Sequence, residues 1–268
     1  MNIVKRQIFW IYNLLVQFGF DPRKTICSIG GLLFYFRDLL VLKEQKRNST
    51  KKHFSFGKPY PCLDDRFSES GTAKGHYFYQ DLLVAKRVYI HNPKIHVDIG
   101  SRIDGFVAHV ASFRPIEVMD VRLLSSNIQN VKFIQGDLMG CIKQELIGYC
   151  DSLSCLHALE HFGLGRYGDL VNYDGYLLGL DNFHRLLKKQ GTLYLAVPIG
   201  PQRIEFNAHR VFSIKYLLSL FAEKYHIDRF SVVDDSGELH EIVELNDENI
   251  NNNFNCYYGC GIFEMTKL

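Results

Sequence analysis

Between Leu156 and Asp169 the chain reads LHALEHFGLGRYGD, which gathers His157, Glu160, His161, Arg166, Tyr167 and Asp169 into one short stretch. A histidine titrating near neutrality can take the proton of an attacking hydroxyl, so this stretch is the densest source of candidate catalysts. A second cluster, Asn207, His209 and Arg210, lies in PQRIEFNAHRVFS. His209 is the first choice as general base, because it follows Val197 by twelve residues in a loop leaving the carboxyl edge of a strand. His161 is the second choice, and Glu160 completes the catalytic set. The alternative for either histidine is a structural one, capping a helix or satisfying core polar groups. His157 and His161 stand in a His-x3-His spacing, but no other tight ligand spacing accompanies them, so no metal is expected.

Three acids, Asp98, Asp120 and Asp137, fall at the ends of successive apolar runs, and the first run is closed by Gly100-Ser101. In an open α/β sheet such ends line one crevice, where a carboxylate can accept hydrogen bonds from both hydroxyls of a ribose. A strand running through glycine into a helix also leaves backbone N–H groups facing that crevice. Asp98, Gly100, Ser101, Asp120 and Asp137 are therefore the expected cofactor-binding residues. A nicotinamide dinucleotide would call for G-x-G-x-x-G, which Gly100 and Gly105 do not supply.

The elements that must hold these residues alternate strand and helix. Strands are expected at Ile95–Ile99, Ile116–Val121, Val131–Ile134, Cys150–Leu156, Thr192–Val197, Arg229–Val233 and Tyr257–Met265. Helices are expected from Gly71 into Ile90, with Phe78, Leu82, Leu83 and Val88 facing the core, then at Phe106–Ala111, around Gly140–Tyr149, at Asp174–Lys189 and at Phe212–Tyr225. The aromatic and polar start of the first of these, His76 to Asp81, could close over a cofactor. Asp247–Asn255, rich in Asn and Asp, reads as a flexible loop. With no helix between them, the last two strands should pair antiparallel. The expected division is 1–70, a helical extension and linker, and 71–268, the cofactor domain.

The 268 residues are 47% hydrophobic and 22% charged, with a net charge of +2, which gives no reason to expect nucleic acid. A small molecule or a glycan is the expected partner. Seven cysteines form no C-x-x-C pair and fit reduced thiols in a cytoplasm. Lys5-Arg6 precede an apolar stretch, but Asn13 and Gln17 interrupt it and no small-residue cleavage site follows, so no secretory signal is expected. Residues 1–47 read as two helices around Gly19-Phe20-Asp21-Pro22, with Asp21 as cap and Pro22 at the first helical position. These helices either pack on their own domain or make a peripheral contact with a membrane surface, on the inner face if the chain is cytoplasmic.

HVDIGSRIDGF, the acid of VMDV, the QGDL turn and DSLSCLHALEHFGLG resemble class I S-adenosylmethionine-dependent methyltransferases over roughly Gly71 to Leu268. GHYFYQDLLVAKRV with HVDIGSRIDGFVAHV looks, more closely, like the DUF268 family, a group met in bacterial surface-polysaccharide loci and in nematodes. The resemblance implies a Rossmann-like fold: a seven-stranded, mostly parallel sheet with an antiparallel last strand, plus the amino-terminal helical extension. It further implies S-adenosyl-L-methionine as cofactor, with LHALEH, and so His157 as a cofactor-binding residue, beside the adenosyl group and the methyl donor. The implied reaction is O-methylation of a sugar, on a cytoplasmic glycan or its lipid-linked precursor. The first loop departs from the family-wide E/D-x-G-x-G-x-G, with Ser101 and Arg102 where small residues usually stand. That departure keeps open the alternative of a non-catalytic module of the same fold, binding glycan enzymes or a membrane surface.

Overall fold

A computed structural model describes residues 3–51 and 53–268, with side chains from Phe9 onward. The chain divides into two compact units, Met1–Thr72 and Ala73–Leu268.

In the first unit, α1 (Ile3–Gln17) and α2 (Pro22–Asn48) meet at a turn where Gly19 takes a φ of 84°. The Asp21 carboxylate caps α2 by accepting from the backbone N–H groups of Arg23 and Lys24, at 2.9 and 3.2 Å. Pro22 follows at the first helical position, where its missing N–H costs nothing.

The second unit is built on one sheet. Its strands are β1 (His96–Ile99), β2 (Ile116–Asp120), β3 (Val131–Gln135), β4 (Cys150–Leu156), β5 (Leu187–Ile199), β8 (Tyr225–Val233), β9 (Leu239–His240) and β10 (Gly259–Lys267). They lie in the order β3-β2-β1-β4-β5-β10-β8-β9. The first five pair in parallel, and β10 runs antiparallel to both β5 and β8. Seven strands thus form the expected sheet, and the two-residue β9 adds an eighth at its edge. Separate from it, β6 (Arg203–Glu205) and β7 (His209–Val211) form a short antiparallel hairpin. The antiparallel β10 fills the place beside β5 and leaves the carboxyl ends of β1 to β4 as the open edge.

Helices cover both faces. On one, α3 (His76–His91) and α4 (Ala108–Ala111) seal Val88, Phe106, Val107 and Val110 against Val118, Leu156 and Ala196. On the other, α5 (Gly175–Leu186) and α6 (Ile214–Phe221) bury Phe183, Leu186, Leu217 and Phe221 against Leu153, Leu195 and Phe263. Phe78 and Leu82, expected in the core, stand partly in solvent, while Gln80 and Asp81 are buried. The register of α3 is rotated so that this polar pair points at the site.

Three other elements differ from expectation. The stretch Gly140–Tyr149 carries only a 3₁₀ turn at Gln144–Leu146, because the Asn182 side chain donates to the carbonyls of Leu138 and Gly140 at 2.7 Å and fixes a non-helical path. Helix α5 stops at Leu186 rather than Lys189. Its last carbonyls are taken by Gly148 and Tyr149 N–H groups and by the Lys267 ammonium, so Leu187 is free to pair with Cys150 and begin β5. The Asn-rich segment folds into α7 (Asp247–Asn252) and a turn through Asn255, with Asn246 as N-cap and the Asn253 side chain accepting from Ile214 N–H to cap α6. Asparagine's tolerance of the left-handed region is used here at Asn253 and Asn255, φ 53° and 57°, to build structure.

Candidate active site

The carboxyl ends of β1, β2, β3 and β4 open into one cavity, lined among others by Gly100, Asp120, Asp137, His157 and His161. Four of the residues expected to bind or act from separate parts of the sequence, Asp120, Asp137, His157 and His161, thus share one wall system with the glycine loop. Gly100 has a φ of 69°, and a Cβ there would stand 2.9 Å from the Ala158 side chain, so the loop can pass this close to the turn after β4 only without one.

Asp98 and Ser101 lie beneath the cavity instead of lining it. The buried Asp98 carboxylate accepts from Ser101 N–H at 3.0 Å, Ser101 Oγ at 2.7 Å and Ser154 Oγ at 2.5 Å. Burial pushes its pKa up to about 7 in spite of these donors. The serine that departs from the glycine-rich pattern therefore has a job: it ties the loop to β1 and β4. Gly105 has its own constraint, since a Cβ there would meet the Asp81 carboxylate at 2.4 Å.

Asp120 faces the cavity with its carboxylate already engaged. Arg122 donates to it from its backbone N–H at 2.8 Å, from Nε at 3.0 Å and from Nη2 at 2.6 Å, and the same guanidinium lies 4.3 Å from the centre of the Tyr167 ring. Tyr167 is held there by Asp169, which accepts from the N–H groups of Gly163, Gly165 and Tyr167 at 2.9 to 3.3 Å. Arg122 and Tyr167 thus form a latch over the Asp120 carboxylate. Asp137 accepts from Met139 N–H at 2.8 Å and so shapes the turn after β3.

The turn after β4 carries the titrating groups. His157 adopts a φ of 53°. Gln80 donates through Nε2 to Asp81, so its Oε1 is the acceptor for His157 Nδ1–H at 2.7 Å, and His157 Nε2 is left to accept from His76 Nδ1 at 3.1 Å. The Cys260 thiol completes a trio whose ligand-type atoms lie within 4.8 Å of one another. Hydrogen bonds already occupy both nitrogens of His157, so the trio is a closed polar chain linking α3 and β10 to the cavity wall.

His161 has a defined tautomer too: Nδ1–H donates to the Ala208 carbonyl at 2.6 Å, which leaves Nε2 as the basic nitrogen. Burial lowers its pKa to about 4, so the ring is neutral through the physiological range. Glu160 is fully buried, its Oε2 has no hydrogen-bond partner, and burial raises its pKa to about 8. The 3.7 Å approach of Glu160 Oε1 to His161 Nε2 is consequently a contact between two neutral groups, too long for a hydrogen bond, and not an ion pair.

His209 does not line the cavity. It sits on β7, 3.4 Å from the Glu205 carboxylate and with its ring centre 4.9 Å from that of Tyr258. The loop expected to bring it to the mouth of the crevice is the β6–β7 hairpin, and what that hairpin delivers to the site is the Ala208 carbonyl. Arg210 is buried beside it, donating to the carbonyls of Phe162 at 2.6 Å and Tyr173 at 2.9 Å. Arg122, Ser154, Tyr258 and Cys260 were not singled out from sequence. Only the doublet Asp120-x-Arg122 carried a local signal, a carboxylate with a guanidinium two residues on.

The sheet order, the antiparallel β10 and the edge cavity define a Rossmann-like fold of the class I methyltransferase type. The family model described as "Caenorhabditis protein of unknown function, DUF268" matches residues 108–257, more than half of the chain, and the chain belongs to that family. Among solved structures it is similar to the 1,6-didemethyltoxoflavin-N1-methyltransferase of Burkholderia thailandensis, with bound 1,6-didemethyltoxoflavin and S-adenosylhomocysteine. That likeness has a TM-score of 0.49 at 14% identity over 70% of this chain and 78% of the other. The N-methyltransferase NodS of Bradyrhizobium japonicum, in complex with S-adenosyl-l-homocysteine, gives 0.47 at 10% over 72% and 88%. The [4+2]-cyclase SpnF gives 0.48 at 16% over 70% and 80%. No curated protein sequence matches the chain.

Proposed function

We propose that the chain is an S-adenosylmethionine-dependent methyltransferase acting on an oxygen nucleophile. The observation that carries this reading is the single edge cavity in which Gly100, Asp120, Asp137 and His161 meet. The residues fit such a cofactor: a glycine cradle that a Cβ would fill, a carboxylate placed for vicinal hydroxyls at Asp120, and a further acid at Asp137. Bound there, S-adenosylmethionine supplies an activated methyl group on a sulfonium leaving group.

The chain's own residues do the rest. His161, held by Ala208 with Nε2 unprotonated, receives the proton of the acceptor hydroxyl as its oxygen bonds to the methyl carbon and the carbon–sulfur bond breaks. Glu160, protonated beside it, keeps a negative charge away from that nitrogen. Tyr167 and Arg122 cover the cavity and exclude water. Asp98 and Ser101 position the loop without touching ligand. His209, the first choice from sequence, acts through the hairpin that presents Ala208.

The acceptor class implied by the family resemblance is a sugar hydroxyl on a glycan or lipid-linked precursor. Mass spectrometry of the organism's glycans with and without the chain tests it: one CH₂ increment should vanish when the chain is removed, and an unchanged glycan profile refutes this acceptor. One observation favours a second reading, a module without methyl transfer, namely the engagement of Asp120 by Arg122. Under that reading S-adenosylmethionine does not bind at all.

A further inference from the structure

The first unit buries little of its own apolar surface. Along α2, Gly31 is the only buried residue, while Ile26, Ile29, Leu33, Phe36 and Leu40 are each more than half exposed. Their spacing of three and four residues places all five on one stripe. The opposite side of α2 is covered by the segment Cys62–Phe67. The Leu63 carbonyl approaches so closely that a Cβ on Gly31 would lie 1.8 Å from its oxygen, Phe67 packs edge-on to Phe34 at 6.3 Å, and Arg66 pairs with Asp38. The strap therefore fixes which side of the helix faces outward. In α1, Phe9, Trp10, Ile11 and Leu14 are exposed as well.

We infer that this unit is an anchor that lies in the plane of an anionic membrane surface, with the Ile26–Leu40 stripe turned into the headgroup boundary. The inference is independent of the methyl-transfer reading. Charge is the first argument: the unit, residues 1–72, holds twelve Lys and Arg against six acids, and Lys43, Lys46 and Arg47 close the stripe at its carboxyl end. Such a basic rim around an apolar ridge is attracted to anionic lipid. Two copies packed through the same ridge would instead bring like charges together.

The second argument distinguishes lying from crossing. By length and by a mean hydropathy of 1.6 over eighteen residues, α2 could cross a bilayer. But its longest uncharged run, Thr25–Phe36, is twelve residues, and the run through α1 and the turn after it, Gln7–Phe20, is fourteen, both short of the roughly 20 a crossing needs. Arg37 and Asp38 sit at mid-helix, and the strap beside them is irregular backbone ending in a single 3₁₀ turn at Asp65–Phe67, most of whose polar groups hydrocarbon would leave without partners.

Cosedimentation of the full chain with phosphatidylcholine vesicles, with and without phosphatidylserine, tests the inference. Binding should require phosphatidylserine and fall as salt rises. The double variant Leu33→Glu/Phe36→Glu should lower it by about tenfold or more, and Ile90→Glu, on an exposed face of α3 in the other unit, should not. Should the stripe variant misfold by circular dichroism, Lys43→Glu/Lys46→Glu/Arg47→Glu at the helix end makes the same test. Absence of binding, or binding that neither variant weakens, overturns the inference. Retention in the membrane after alkaline carbonate extraction overturns it in favour of a crossing helix, and self-association through the stripe without vesicle binding overturns it in favour of a second copy.

Discussion

In the sheet unit Phe106, Phe183 and Phe263 are sealed from solvent, whereas in the helical unit Trp10, Leu33 and Phe36, side chains of similar character, stand in the open. Charge divides the same way: residues 1–72 hold twelve Lys and Arg against six acids, and residues 73–268 hold 19 Lys and Arg against 23 Asp and Glu. The sheet unit is held by its own burial, at about 25 cal/mol per Å² of apolar surface removed from water. The helical unit leaves much of its apolar surface in solvent. Under the proposed methyl transfer and membrane attachment, chemistry belongs to the unit whose groups are fixed and attachment to the unit whose apolar ridge is exposed.

The largest effect expected lies in the sheet unit's chemistry. His161→Ala should reduce turnover by roughly 10²- to 10⁴-fold, a far larger effect than its loss of stability accounts for. His209→Ala, reaching the site only through the hairpin, should cost about tenfold or less. A larger loss at His209 than at His161 would return the base to the hairpin.

Next in size is the packing contrast. Phe183→Ala should destabilise the sheet unit by about 3–5 kcal/mol, the usual cost of emptying a core aromatic site. Leu33→Ala, on an exposed ridge, should stay within about 0.5 kcal/mol. Denaturant unfolding of the two variants measures both, and comparable losses would mean that the helical unit has a core of its own.

A pH effect follows from Glu160. Its folded pKa, raised by burial to about 8, makes the folded unit hold a proton that the unfolded chain releases in the ordinary carboxylate range. Its contribution to stability therefore declines as pH rises through the neutral range and levels off beyond about 8. Glu160→Gln should flatten that decline between pH about 6.5 and about 8. Parallel melting curves for wild type and variant across this range would show that Glu160 does not titrate as its burial demands.

The smallest effect expected is at the latch. Arg122 takes three of the roughly four acceptor positions of the Asp120 carboxylate, so Arg122→Ala should tighten cofactor binding by a few-fold. Weaker binding would make Arg122 a ligand contact rather than a competitor.

Local patterns made much of this legible. The apolar runs ending in Asp98, Asp120 and Asp137 gave three strands, and Asp21-Pro22 gave the start of α2; the last strand does pair antiparallel as expected, although the reason offered, the lack of a helix before it, fails because α7 folds in that connection. What stayed hidden depends on contacts across long separations. Nothing near Gly140 announces that Asn182 will hold its backbone, and nothing in YYGCG announces that Cys260 and Tyr258 will stand beside His157 and His209. Asp98 and Asp120 look alike in sequence, yet Ser154 on a neighbouring strand draws one into the sheet while the other reaches the cavity. The Asn-rich segment misleads for a related reason, since the residues that favour turns are also those that cap helices.

Calorimetric titration of the full chain with S-adenosylmethionine tests the central claim most directly. Wild type should give saturable one-site binding, and Asp120→Ala should weaken it by about 2 kcal/mol, roughly thirtyfold, at an unchanged melting temperature. No binding to wild type, or equal affinity in the folded Asp120→Ala variant, would contradict the assignment of the β1–β4 edge as the cofactor site.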